Sequence, residues 1–307
     1  MTNKKSLLSE ERFKGPVWNI LVLAFLVFMA VIYVNGAGKD KANRKDLATS
    51  PDAVAISTGI EEVLPKDGVT LPIVWGSIGK NMVDKGVIDA EKFESLYANR
   101  GGLSEGDKRL LYGEGNGNIK ITSENAGVIL NLTWAFGLSN KNPILEEGPM
   151  MDPRYGGAGG FASTGGWSIA RGSAMDHYSK YKFAILTREE QALVEKVSKN
   201  IYRPCCGNST YFPDCNHGMA MLGLLELLAS NGATEEEMYD IALSVNSYWF
   251  PETYLTIEKY FGKRGVSWSQ VDAKEVLGEL YSSGSGYAQI QRDVEPVKIQ
   301  GGGSCGV

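Results

Sequence analysis

Histidine is almost missing from this chain, with 2 in 307 residues, and cysteine is scarce at 4. With only His177 and His217 available, no Ser-His-Asp or Cys-His-Asn triad can be assembled from a recognisable pattern, and no carboxylate pair stands out as an acid/base couple. Catalytic residues are therefore not assigned from the sequence. An excess of positive charge is also missing. Lys and Arg number 31 against 36 Asp and Glu, a net charge of −5. No basic run is interleaved with aromatics, which excludes nucleic acid as the partner. There is no C-x-x-C motif and no sustained strand-type alternation, so the expected class is mainly α. The Gly-rich stretch Tyr155 to Ser173 lacks the Lys-Ser/Thr ending of a phosphate-binding loop and does not open a strand-loop-helix unit, which argues against a nucleotide site. It is expected to be an irregular segment that packs Phe161 and Trp167.

What the chain does contain is one concentration of unusual chemistry. Pro204 to Gly218 reads P-C-C-G-N-S-T-Y-F-P-D-C-N-H-G and holds three of the four cysteines and one of the two histidines. It opens onto Met219 to Ser230, an apolar stretch whose lone charge is Glu226. Asp214 is the expected N-cap, which puts Cys215, Asn216 and His217 in the first helical turn, where unpaired backbone N–H groups and the helix dipole favour thiolate over thiol. Cys215 is the cysteine expected to be reactive. His217, Met221, Leu224, Leu225 and Leu228 share one helical face, so this helix should be central and buried. Glu226 is expected to reach solvent through a gap, because unpaired carboxylates are rarely buried.

Taken in order, residues 1–16 form a short polar tail, and Val17 to Val34 is an apolar run broken by Asn19. At about 1.5 Å per residue that run is long enough to cross most of a bilayer core. A single N-terminal transmembrane anchor over residues 17–37 follows, with the membrane as its partner and the remaining chain expected on the extracytoplasmic side. Residues 38–68 read as a polar linker. A helical globular domain is expected over 69–290 and a flexible Gly-rich tail with Cys305 over 291–307. Within the domain, helices are expected from Asp89 to Asn99, from Ser104 with Asp107 at the capping-box position, and from Ser123 to Leu138. Glu114 to Asn118 reads as a turn. Thr187 with Glu190, and Thr234 with Glu237, cap two further helices. The pair Asn216–Ser230 and Glu235–Trp249 forms an αα-hairpin that Pro251 stops, and the domain is expected to be built on it. Short helices follow near Glu252 to Phe261 and Asp272 to Tyr281. His177, beside a tyrosine, is expected to be structural.

Three functions compete for the cluster. Cys205, Cys206, Cys215 and His217 form a soft donor set for a transition metal ion, with zinc, copper and iron not distinguished. The spacing C-C-x8-C-x-H lacks the paired C-x2-C pattern of a structural zinc site. Alternatively, Cys215 is a redox nucleophile resolved by Cys205 or Cys206 with Cys305 shuttling in from the tail. The third reading is a structural or interaction domain in which a disulfide such as Cys206 to Cys215 staples loop to helix. The protein partner and substrate are not legible in the sequence.

Overall fold

The computed structural model describes residues 59–299. The expected anchor at 17–37 and Cys305 lie outside the described residues, and among the described residues no helix is long and apolar enough to cross a membrane. Helix dominates, as the capped periodic segments predict. After helical residues at 59–63, α1 spans Ile78–Lys85, α2 Ala90–Tyr97, α3 Glu105–Tyr112, α4 Ala126–Ser139 and α5 Pro143–Glu147. They continue with α6 Arg188–Ser198, α7 Asn216–Ser230, α8 Glu235–Trp249, α9 Pro251–Gly262, α10 Ala273–Val276, α11 Glu279–Ser282 and α12 Gly284–Asp293.

The caps read from the sequence are in place. The Asp89 side chain accepts from the Lys92 amide, and Ser104 with Asp107, Thr187 with Glu190, and Thr234 with Glu237 each close a reciprocal capping box. Each such box satisfies two orphan amides, and a cap of this type is worth about 1 kcal/mol. α4 begins later than expected, at Ala126, and its flanking Asn125 makes no side-chain cap bond. Pro251 ends nothing by itself. α8 has already stopped at Trp249, and Pro251 starts α9 at a position where its missing N–H costs no helical bond.

A two-stranded antiparallel sheet, which the sequence reading missed, pairs β1 (Val69–Gly76) with β2 (Asn116–Ile121). Leu71, Ile73 and Trp75 alternate inward along β1. Pro72 sits in the irregular part of the register, between the Thr70 and Val74 pairs, where a missing N–H is tolerated. Of the Glu114 to Asn118 segment, expected as a turn, Asn116 to Asn118 instead form the start of β2 and pair with β1. Within the stretch read as linker, Val63 and Leu64 are buried.

The central packing differs from an isolated hairpin of α7 and α8. The close partner of α7 is α4, and two glycines let the backbones meet: Gly223 stands where a Cβ would lie 2.5 Å from the Thr133 carbonyl oxygen and 2.8 Å from the Gly137 nitrogen. α4 and α7 are buried on nearly every face, as an apolar helix with little amphipathic contrast requires. α6 and α8 pack on the same core, leaving the N-terminal end of α7 as the place where polar chemistry meets it. The Gly-rich segment is a series of short 3-10 turns, including Pro153–Tyr155 and Ala158–Gly160. From it Trp167 is buried against Trp134 at a centroid distance of 4.8 Å, the role expected of it.

Candidate metal centre

The cysteine loop is held by the backbone on both sides. After α6, Tyr202 donates to the Leu277 carbonyl, and Thr210 and Tyr211 donate back to Ile201 and Ser198, so residues between them bulge outward as a closed loop. Cys205 and Cys206 stand at its tip. The Cys206 amide bonds to the Arg203 carbonyl at 3.2 Å and the Cys206 carbonyl accepts from the Gly284 amide at 2.9 Å. Pro213 and Asp214 then turn the chain into α7. The N-cap is Cys215 rather than Asp214: its sulfur accepts from the Gly218 amide at 3.4 Å. Asp214 is engaged elsewhere, accepting from Arg203 Nη2 at 2.7 Å on one oxygen and from Asn208 Nδ2 at 2.9 Å on the other.

This arrangement gathers three of the four proposed ligands. The Sγ atoms of Cys205, Cys206 and Cys215 all lie within 4.8 Å of one another, and Cys205 and Cys215 are 3.7 Å apart. All three are free thiols, so the Cys206 to Cys215 staple is not formed in this structure. His217 does not join them. Two residues past the cap, its ring turns into the core, where it packs on Phe250 at 4.3 Å and on Trp249 at 6.0 Å, with Nδ1 2.9 Å from Asn216 Oδ1. Burial, with Arg203 adding to it, pushes the imidazole down to about 4, against the opposing pull of Cys215, so it is neutral at pH 7.

The residue that the sequence reading missed is Arg203. It falls in the gap between the expected α6 and the start of the cluster, and its side chain is 0% exposed. The guanidinium packs against α7: a Cβ on Gly218 would come within 2.6 Å of its Cζ, so any larger residue there must displace the guanidinium. Nη2 is bound to Asp214 and to the Phe212 carbonyl, while Nε and Nη1 have no hydrogen-bond partner. Burial opposes this charge, but Cys215, Cys206, Asp214 and Cys205 together outweigh it. A charged arginine directly before Pro-Cys-Cys was the available signal.

The three thiols are not equivalent. Cys215 is held far below the ordinary thiol value by the S–H groups of Cys205 and Cys206, then by Arg203 and the Gly218 amide, with burial opposing. Cys205 is driven up by its bonds to Cys206 and Cys215 and by burial. Cys206 is drawn down by Cys205, but the Cys215 sulfur and burial outweigh this and leave it raised. Of the two sulfurs in contact, Cys215 is therefore the one favoured as thiolate and Cys205 the one favoured as thiol.

Two other residues singled out from the sequence have clear places. His177 is structural: Nε2–H donates to the Arg171 carbonyl at 2.9 Å, which leaves Nδ1 to accept from the Tyr181 hydroxyl at 3.0 Å. Glu226 does not reach solvent. It is fully buried on α7, and its Oε2 accepts from Asn140 Nδ2 at 2.5 Å, while Oε1 has no partner. Burial raises its carboxyl to about 8, with Asn140 and Asn142 pulling the other way, so it carries a proton at neutral pH. No protein-family model matches the chain, and neither a search of curated proteins nor one of solved structures finds a match.

Proposed function

We propose that this chain is a membrane-anchored protein whose domain binds a thiophilic metal ion through Cys205, Cys206 and Cys215. The observation that carries the reading is the convergence of the three sulfurs at the α7 N-terminus. Zinc-thiolate bonds of about 2.3 Å arranged tetrahedrally put neighbouring sulfurs about 3.8 Å apart. The Cys205 to Cys215 separation is 3.7 Å. Little movement is needed to close the three sulfurs on one ion, and three protein ligands leave a fourth position for water or another donor. The finer assignment to a Cys/Cys/Cys/His set is replaced by a three-sulfur set, since His217 is committed to the core. The apolar run at 17–34 supports the anchor, and placement outside the cytoplasm fits a bound ion that keeps three adjacent thiols from oxidising.

A second reading rests on the same contact. An ionised Cys215 touching the exposed Cys205 thiol is the arrangement of a nucleophile with its resolving partner. Metal analysis beside a thiol count separates the two. A metal site gives close to one equivalent of metal, lost in Cys215→Ser, with thiols that resist alkylation until a chelator is added. A metal-free protein with a readily formed Cys205 to Cys215 disulfide overturns the metal reading in favour of the redox one.

A further inference from the structure

We infer that Arg203 is the specificity-determining residue of this centre, and that it fits the site to a divalent ion. The inference rests on the three-sulfur reading above. When three cysteines coordinate, all three are thiolates. A divalent ion therefore makes a complex of net charge −1, by Cd²⁺ + 3 RS⁻ → [Cd(SR)₃]⁻. A trivalent metalloid makes a neutral one, by As(OH)₃ + 3 RS⁻ + 3 H⁺ → As(SR)₃ + 3 H₂O, and a monovalent ion leaves −2. A residual charge in a poorly hydrated site is costly unless a counter-charge stands beside it.

Arg203 supplies one positive charge of that kind. It is fully buried and pressed on Gly218, whose own amide binds the Cys215 sulfur, so the guanidinium and the thiolate share the first turn of α7. Its backbone carbonyl holds the Cys206 amide, so the same residue also shapes the loop tip. Two of its donors, Nε and Nη1, are buried without an acceptor, so Asp214 and the Phe212 carbonyl leave part of the guanidinium unmatched beside the cluster. Asp214, 22% exposed, takes up part of the guanidinium's charge, and the sulfurs of half-buried Cys206 and Cys215 and of exposed Cys205 compete with it for the rest. The anionic divalent complex thus gains from Arg203, and a neutral arsenite complex does not.

The test measures the affinities of the full-length protein for Cd²⁺ and for arsenite, with no affinity-tag histidines. Arg203→Met should lower the ratio of Cd²⁺ to arsenite affinity by about a hundredfold, the scale of one nearby charge in a partly buried site. Retained arsenite binding shows that the thiols are still gathered. Arg203→Lys should keep most of the ratio. Asp214→Asn removes the competing carboxylate from a position 22% exposed and should raise the ratio severalfold, which keeps the test decisive if Arg203→Met fails to fold. An unchanged or lowered ratio in Asp214→Asn, or an equal loss of both ions in a folded Arg203→Met, overturns the inference while leaving the three-sulfur site standing. Failure of the wild-type protein to bind either ion overturns the site and this inference with it.

Discussion

Glu226→Gln should flatten the pH dependence of stability, because Glu226 is a buried acid that must stay protonated for the fold. Its carboxyl lies at about 8 in the folded chain. In the unfolded chain it returns to an ordinary value near 4.3. A value raised on folding contributes stability that is fully present below the unfolded value and is lost as pH rises through the folded one. Between pH 5 and pH 8 the loss comes to roughly 3 to 4 kcal/mol, since each unit of difference is about 1.4 kcal/mol. Glutamine has the same shape and cannot ionise. Its amide exchanges an acidic O–H for N–H donors facing the Asn142 amide, so at pH 5 the variant should be less stable than wild type by about 1 to 3 kcal/mol. By pH 8 that order should invert, because the wild-type loss exceeds the gap at pH 5. Urea unfolding at the two pH values, with the change for Glu226→Gln subtracted from that of wild type, cancels contributions from every other titrating group. Parallel behaviour of the two proteins across this range would refute the assignment of Glu226 as a buried, protonated acid.

Two further perturbations test the packing. Gly223→Ala should destabilise by about 3 kcal/mol or more, because the new methyl meets the Thr133 carbonyl of α4, which is backbone and cannot turn aside. Gly127→Ala on the exposed side of α4, where a Cβ meets nothing within 4 Å, should stabilise by about 0.5 to 1 kcal/mol, and thermal unfolding of the pair reads both signs. His217→Ala should cost about 2 to 4 kcal/mol in urea unfolding through lost packing on Phe250 and Trp249, yet retain the bound metal. Loss of metal from a folded His217→Ala would restore the four-ligand set.

Much of this architecture was legible because its signals are local. Capping boxes such as Thr187 with Glu190 involve residues three apart, and the apolar run from Met219 to Ala229 announces a buried helix without reference to anything distant. The cysteine cluster stood out for a similar reason, as soft donors crowded into one short stretch. What the sequence reading missed depends on partners far along the chain. β1 carries a recognisable alternation of Leu71, Ile73 and Trp75, but Pro72 within it and the turn-like glycines before Ile119 hid the pairing. The choice of α4 as the partner of α7 rests on Gly137 and Gly223 meeting across the core, and neither glycine carries that information alone. For Glu226 the general cost of burying a carboxylate points to solvent, and the fold meets that cost by keeping it protonated beside Asn140. His217 was drawn into the ligand set by proximity in sequence, whereas Phe250 decides where its ring lies. Beyond its place before Pro-Cys-Cys, Arg203 carries no local signal, since it lies between two segments and its contacts with Asp214, Phe212 and Gly218 are all made 9 or more residues along the chain.

The central claim is that three sulfurs and no imidazole hold the ion, and metal-edge X-ray absorption of the zinc-loaded protein tests it most directly. Three sulfur neighbours at about 2.3 Å with one lighter donor completing the shell are expected, and an unchanged spectrum in His217→Ala. Imidazole scattering in the wild-type spectrum that disappears in His217→Ala would contradict it.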